Sequence, residues 1–408
     1  MPKRAVELIL IKIYKSRRPF WPCRKEKKGE CMVADVFTQL SLMIVLATVG
    51  AFIARMLRQP IIPAYILVGV LIGPVWKLVT SSELIKSMSL IGIAFLLFIV
   101  GLELSLKKIK DLGTVIFIGS IIQVLLVFAL GFAAAILLGF YRVEAAYLGL
   151  ILTFSSTMMV IKLLSDKKQL ESLHGKIIIG VLLMQDVLAI LALSILSSLD
   201  APGIVMFGFS LLKAGSVFLL AFLCSKFIFP RLFRFGARSS ELLFMMSVSV
   251  CFFFSVLIYY FNISIAIGAF IAGISLANLP YNLEIISKVK SLKDFFSTLF
   301  FVSLGMSVVL GEIQKVLVPL IVFLAVVIVL KPLLIMFITS IFGYTKKVSF
   351  FTGVSLAQVS EFSIIIASGG LVLGHLSNEL FTLTIVLAIV TMVGTSYFVQ
   401  FSERLFRF

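Results

Sequence analysis

Charged residues are scarce in this chain: they make up 13% of its 408 residues, whereas 61% are hydrophobic. A soluble domain of this size needs far more polar surface than that to stay dissolved. Hydrophobic runs of roughly 17 to 25 residues recur along the whole length, and each is long enough to cross a bilayer as a helix. The composition therefore excludes an ordinary soluble domain and predicts an all-α membrane protein.

Residues that bind metals or carry out covalent catalysis are also few. The four cysteines have no metal-ligand spacing, and His174 and His375 are the only histidines. Glycine-rich phosphate loops and nucleophile triads are absent from the predicted loops. We therefore expect neither an enzyme nor a cofactor, and no nucleic-acid partner, although the formal charge is +17.

The apolar runs predict about 13 transmembrane helices. Their ranges are 36–55, 61–76, 87–104, 115–138, 145–164, 177–195, 204–227, 242–260, 263–279, 295–310, 317–341, 349–373 and 380–399. Alternate loops hold twenty and four Lys or Arg residues, respectively. This asymmetry follows the positive-inside rule and predicts a cytoplasmic C-terminus.

Residues 1–31 do not fit this pattern, because they carry ten Lys or Arg on the side that should have few. Met32 directly precedes the first apolar run. The simplest interpretation is a start codon assigned too early. The alternative is a basic tail that lies on the membrane surface.

Segments of the first half repeat in the second half without gaps. The matching pairs are Gly69 with Gly273, Gly101 with Gly305, Ser156 with Ser360 and Thr157 with Glu361, each 204 residues apart. This shift carries the second helix onto the ninth, an odd number of crossings, so the two halves have opposite orientation. Inverted repeats of this kind are typical of secondary transporters, whose site lies near the bilayer midplane at interrupted helices.

Asp186 is a carboxylate in the middle of an apolar run, where a charge costs at least ~2.5 kcal/mol. It is the tenth residue of the run 177–195 and follows Gln185. A carboxylate at this depth can hold either a proton or a cation, and the Gln185 amide can add an oxygen ligand or fix a water. The alternative is that Asp186 merely pairs with a lysine on another helix.

Two further polar clusters occupy repeat-equivalent places. They are Thr153, Ser155, Ser156 and Thr157 in the run 145–164, and Gln358, Ser360 and Glu361 in the run 349–373. Each hydroxyl alone could simply bond to a carbonyl one turn earlier. Together they predict two interrupted helices that cross near the midplane and expose oxygen ligands for a cation. Glu361 would tune this place or neutralise a half-helix N-terminus.

Lys331 lies inside the predicted helix 317–341 and precedes Pro332, which should kink that helix. Its ammonium group could satisfy a half-helix C-terminus, pair with a carboxylate or carry a transported proton. The sequence leaves these three roles open.

Six segments together carry a family resemblance. They are RQPIIPAYILVGVLIGP (58–74), FLLFIVGLELSL (95–106), LTFSSTMMVIKLL (152–164), LLMQDVLAILAL (182–193), LFFVSLGMS (299–307) and LAQVSEFSIIIAS (356–368). The chain resembles the cation:proton antiporter-2 family, in particular the membrane domain of the potassium efflux antiporters. The resemblance implies a homodimeric monovalent cation/proton antiporter in which Asp186 is the ion-binding aspartate.

The resemblance also implies a division of the membrane domain, 32–408. Helices within 36–104 and 242–310 would form a dimerisation scaffold, 204–227 a linker helix, and 115–195 with 317–399 a moving core. We expect this domain to lie in the cytoplasmic membrane of a prokaryote.

Two departures from the family pattern matter. Electrogenic members have two adjacent aspartates where this chain has Gln185 and Asp186, whereas potassium-type members have the Gln–Asp form. This favours electroneutral one-for-one exchange of K⁺ or Na⁺.

The potassium efflux systems continue into a nucleotide-binding domain, whereas this sequence ends at Phe408. We expect regulation of that kind to be absent from this polypeptide unless the sequence is truncated, and a separate cytoplasmic subunit is one alternative source of it.

Two other functions remain open from the sequence. A sodium-coupled organic-solute symporter can use a similar inverted-repeat core, but should have a larger polar cavity. A potassium channel-like efflux protein is the other, although the chain has no carbonyl filter of the TVGYG type.

Overall fold

The computed structural model describes residues 28–57, 59–79, 83–103, 113–196, 215–261, 265–309, 311 and 316–407. Every regular element in these ranges is a helix, which confirms the predicted all-α fold. Most of the basic extension 1–31 and the first part of the predicted linker 204–227 lie outside the described residues.

The first half contains seven described helices. They are α1 (Lys28–Met56), α2 (Ile61–Val70), α3 (Glu83–Glu103), α4 (Gly113–Leu137), α5 (Arg142–Thr153), α6 (Thr157–Asp166) and α7 (Leu173–Leu196). The π-helical turn Leu71–Val75 continues α2.

The second half continues from α8 (Gly215–Gly236). Its other described helices are α9 (Ser240–Tyr260), α10 (Ile265–Ala277), α11 (Asn282–Met306), α12 (Leu317–Ala325), α13 (Lys331–Ile341), α14 (Lys346–Ser355), α15 (Glu361–Val372), α16 (Asn378–Gln400) and α17 (Ser402–Arg407). The π-helical segment Val326–Leu330 joins α12 to α13.

Eight helical stretches of the described chain are long and apolar enough to cross a membrane, and four shorter apolar helices accompany them. The chain is therefore a multi-pass membrane protein. The predicted total of about 13 crossings stays a prediction.

One predicted helix boundary is wrong. The sequence placed Lys288, Lys290 and Lys293 in a loop before a helix at 295–310, whereas α11 already begins at Asn282. The helix extends this far because Ile285 and Val289 continue its buried stripe, with Lys293 next on the same stripe. A count of basic residues in loops cannot detect such an amphipathic extension.

The repeat is visible in where the helices begin. The starting residues pair as Ile61 with Ile265, Gly113 with Leu317, Arg142 with Lys346 and Thr157 with Glu361, each separated by the predicted 204 residues. The predicted repeat is thus confirmed at the level of individual helix starts.

Two glycine pairs show the same symmetry in space. A Cβ built on Gly69 would lie 2.0 Å from the Val302 carbonyl oxygen and 2.9 Å from the Cα of Gly305. A Cβ on Gly273 would lie 2.2 Å from the Phe98 carbonyl oxygen and 2.8 Å from the Cα of Gly101. The shift of 204 residues relates Gly69 to Gly273, Val302 to Phe98 and Gly305 to Gly101, so the two contacts are equivalent in the repeat. Only glycine permits backbones to touch this closely where α2 crosses α11 and α3 crosses α10.

The helices pack in two groups. Helices α1 to α3 pack with α9 to α11, and α4 to α7 pack with α12 to α16. Asp186 and both polar clusters lie in the second group.

The glycine contacts generate a stability prediction. Gly273→Ala should destabilise the folded protein by about 1–3 kcal/mol, because the added methyl group meets backbone rather than a flexible side chain. Gly394→Ala is the matched control, since nothing lies within 4 Å of a Cβ there. The measurement is the unfolding midpoint in detergent. Equal midpoints for the two variants would contradict the close backbone crossing.

Candidate functional site

Two helices are interrupted at repeat-equivalent positions. α5 ends at Thr153 and α6 begins at Thr157, while α14 ends at Ser355 and α15 begins at Glu361. Phe154, Ser156 and Ser360 have extended backbone dihedrals between the half-helices. We call α5 with α6 the first broken helix and α14 with α15 the second broken helix. Both interruptions fall at the polar clusters that predicted them.

Hydrogen bonds between the two broken helices show that they cross at their interruptions. The Ser155 hydroxyl donates to the Leu356 carbonyl at 2.8 Å, and the Gln358 amide donates to the Ser156 carbonyl at 3.4 Å. The Ser363 hydroxyl donates to the Ile151 carbonyl at 2.6 Å. Side chains of each broken helix thus satisfy backbone of the other.

Serine caps the N-terminus of the second half-helix in both repeats. Ser156 Oγ accepts from the Met159 N–H, and Ser360 Oγ accepts from the Phe362 N–H. The Ser156 hydroxyl also lies 3.3 Å from Glu361 Oε2. A carboxylate at this place is favourable, because half-helix N-termini carry partial positive charge.

Lys331 satisfies the opposite, C-terminal ends. Its Nζ donates to the carbonyls of Leu152 at 3.0 Å, Phe154 at 3.2 Å and Gln358 at 2.8 Å. The side chain is fully buried. Among the ion pairs of the described residues, none involves Lys331. This geometry matches the first of the three roles left open by the sequence, in which the ammonium group satisfies a half-helix C-terminus.

Asp186 lies on α7, 4% exposed, beside the start of α6. The Thr157 hydroxyl is 3.1 Å from its Oδ1 and 3.0 Å from its Oδ2. A hydroxyl donates one hydrogen at a time, so the carboxylate keeps free acceptor positions. Asp186 thus presents oxygen to the crossing of the broken helices.

Gln185, the neighbour of Asp186, connects the first interruption to a third helix. Its Oε1 accepts the Ser155 N–H at 2.9 Å, and its Nε2 donates to Gln123 Oε1 at 2.8 Å. A backbone N–H can only donate, so this contact fixes which way the Gln185 amide faces. Sequence reasoning missed Gln123, which a search for a lone amide within the run 115–138 could have found.

Other polar residues of the crossing have supporting roles. The Thr153 hydroxyl bonds back to the Gly149 carbonyl at 2.7 Å, the ordinary habit of a helical threonine. Thr391 accepts the Val359 N–H at 3.1 Å, and Thr395 donates to the Ala357 carbonyl at 2.6 Å. These two threonines of α16 were not predicted, because nothing in a single apolar helix shows that it faces a broken one.

Comparison with known proteins gives consistent results. K(+) efflux antiporter 5 of Arabidopsis thaliana is 28% identical over 94% of this chain and 70% of its own length. The K(+)/H(+) antiporter subunit KhtU of Bacillus subtilis is 28% identical over 90% of this chain and 94% of its own length.

A solved structure shares the fold. The sodium proton antiporter MjNhaP1 of Methanocaldococcus jannaschii superposes with a TM-score of 0.66 at 16% sequence identity, covering 92% of this chain and 98% of the other. At that identity the likeness concerns the fold alone.

The sequence model described as "Sodium/hydrogen exchanger, transmembrane" matches residues 43–401, which include both broken helices and Asp186. The chain belongs to the sodium/hydrogen exchanger family, a family of transporters.

Proposed function

We propose that this chain exchanges a monovalent cation, K⁺ or Na⁺, for protons across a membrane. The observation that carries the proposal is Asp186, a buried carboxylate held by one hydroxyl group where two broken helices cross. The names of the relatives, K(+) efflux and K(+)/H(+) antiporters, support the same function, as does the fold shared with a sodium proton antiporter.

The cation would be held by oxygen atoms from three side chains, since K⁺ and Na⁺ prefer oxygen ligands. Asp186 and Thr157 supply a carboxylate and a hydroxyl group. Gln358 is fully buried, and its Oε1 has no hydrogen-bond partner. Its amide orientation is fixed, because its Nε2 donates to a carbonyl that can only accept. Gln358 therefore offers an unused oxygen at the crossing.

The other predicted ligands would shape the site rather than hold the ion. The oxygen atoms of Ser155, Ser156, Gln185 and Thr153 already bond to protein groups, as described above. Ser360 caps α15, and Glu361 accepts the Ser156 hydroxyl. We propose that these residues hold the two interruptions open.

Exchange would be one for one and electroneutral. Asp186 binds either one proton or one monovalent cation, so both loaded forms carry the same charge. The Lys331 ammonium group donates hydrogen bonds to three backbone carbonyls. These bonds support a structural role for the charged group rather than a role as a proton carrier.

Alternating access would come from movement of α4 to α7 with α12 to α16 against the other packing group. The glycine contacts between α2, α3, α10 and α11 would keep the group of α1 to α3 with α9 to α11 rigid as a scaffold, with α8 linking the two groups. We further propose a homodimer in a prokaryotic cytoplasmic membrane, with a cytoplasmic C-terminus and a separate regulatory subunit.

The first test removes the titrating carboxyl. Asp186→Asn should abolish cation-driven proton efflux from proteoliposomes, measured with K⁺, Na⁺ and Rb⁺ and a pH-sensitive dye. Asp166→Asn, at the exposed end of α6, is the matched control and should transport normally. Near-normal exchange by Asp186→Asn would refute the site. Cation flux without proton counterflow would indicate a channel, and solute-dependent sodium uptake a symporter.

The second test concerns charge balance. A clamped membrane potential of about 100 mV supplies ~2.3 kcal/mol per net charge moved, so it should change an electrogenic cation gradient by about 50-fold. We expect no change in the equilibrium gradient for this chain. A 50-fold change that disappears in Lys331→Gln would show that Lys331 carries a second proton.

The third test concerns pH. Because a proton and a cation compete for Asp186, the apparent cation affinity should weaken about tenfold per pH unit on the acid side of the carboxyl titration and level off on the alkaline side. The rate should be bell-shaped, because protons to exchange become scarce at high pH. Affinity is measured from about pH 5.5 to about pH 8.5.

The control variant for the pH test is His174→Ala. The His174 ring packs on Phe351 at the basic end of α7 and α14, with its centroid 5.2 Å from the other ring. A sensor there would change the maximal rate and leave the affinity slope unaltered. A flat affinity across the pH range would rule out competition at Asp186.

A further inference from the structure

Lys293 is a buried lysine outside the site described above. It lies midway along α11, on the buried stripe formed by Ile285 and Val289, and its side chain is 5% exposed. Lysine is rarely buried unless its charge is paired, because the ammonium group loses its hydration. A lysine on this stripe therefore calls for an explanation beyond packing.

The Lys293 ammonium joins the two packing groups. Its Nζ lies 3.2 Å from Asp294 Oδ1 on the same helix and 3.6 Å from the Met158 sulfur on α6. Met158 directly follows Thr157, whose hydroxyl bonds Asp186. A charge on the proposed scaffold is thus in contact with the half-helix that forms the proposed ion site on the core.

Four carboxyl groups surround this region. Asp294 pairs with Lys293 but is 56% exposed, so water screens part of its charge. Glu361 on α15 interacts electrostatically with both Lys293 and Asp186, and Glu103 at the end of α3 interacts with Asp186. Asp294 therefore cancels the Lys293 charge only in part, and Glu361 is the carboxyl group that interacts with both Lys293 and Asp186.

We propose that Lys293 is a fixed positive charge that weakens binding of every monovalent cation, the proton included, at Asp186. Its role is to tune the site and to promote ion release, without contact with the ion. This inference rests on the proposed function and adds a residue on the opposite packing group that sets the operating pH.

A fixed charge has a distinctive signature in competition between two ions of equal charge. Removing it strengthens proton and cation binding by the same factor. On the acid side, where the cation must displace a proton, the two changes cancel and the apparent cation affinity is unaltered. On the alkaline side the cation displaces no proton, so only the stronger cation binding affects the apparent affinity. For a partly screened charge in this environment we expect about a fivefold tighter affinity, and a levelling-off point about 0.7 pH units more alkaline.

The experiment measures apparent cation affinity against pH in proteoliposomes for the native protein, Lys293→Met and Lys293→Arg. Lys293→Met should show the alkaline gain without an acid-side change, and Lys293→Arg should keep the native profile. Lys290→Met is the matched control, because Lys290 is exposed on the same helix and should have no effect.

A second variant tests the same idea with the opposite sign. Asp294→Asn removes the partner that partly cancels the Lys293 charge, so alkaline affinity should weaken, by less than fivefold because Asp294 is exposed. If Lys293→Met fails to give a monodisperse protein on gel filtration, Asp294→Asn alone tests whether the Lys293 charge weakens cation binding.

Failure of the inference can be separated from failure of the proposed function. A native affinity that does not depend on pH would overturn competition at Asp186 and this inference with it. A normal native slope with unchanged alkaline affinity in Lys293→Met and Asp294→Asn would overturn the role of Lys293 alone, even if the maximal rate fell.

Discussion

Backbone carbonyl and amide groups that are buried away from water must find partners, and this requirement governs the crossing of the two broken helices. Lys331 meets it for three carbonyls, one in α5 and two in the interruptions. The hydroxyl groups of Ser155 and Ser363 donate to carbonyls of the opposite broken helix. The Thr395 hydroxyl donates to a further carbonyl from α16. Most polar side chains at the centre of the molecule thus serve the backbone. Only a few oxygen atoms remain for an ion.

The same requirement decides where charges of each sign lie. Carbonyls at the end of α5 and in both interruptions face the ammonium group of Lys331. The starts of α6 and α15 present N–H groups, and the carboxyl groups of Asp186 and Glu361 lie there. Both kinds of helix end are therefore matched by a side chain of opposite charge, and in the proposed exchange an ion that replaces a proton at Asp186 would not disturb this arrangement.

The sequence could predict the frame of the site because the repeat fixes positions along the chain. Two polar clusters 204 residues apart were enough to locate both interruptions, and the helix starts Thr157 and Glu361 fall inside them. Partners across helices could not be predicted. Gln123 and Thr391 matter because of what they face, and a buried Lys293 cannot be told from a loop lysine by counting charges. Their contacts depend on helix rotation and packing, which a single sequence does not specify.

The two repeats have similar backbone structure but differ in their charged residues. At the same shift of 204 residues, the counterpart of Asp186 is Val390, that of Lys331 is Val127 and that of Lys293 is Ser89. The symmetric part, broken helices and glycine crossings, can give similar packing when the site faces either side of the membrane. The asymmetric part confines the Asp186 carboxyl group to one helix and the Lys331 ammonium group to another. Because Val390 stands at the position equivalent to Asp186, the second repeat adds no carboxyl group there, which agrees with the proposed exchange of a single ion in each cycle.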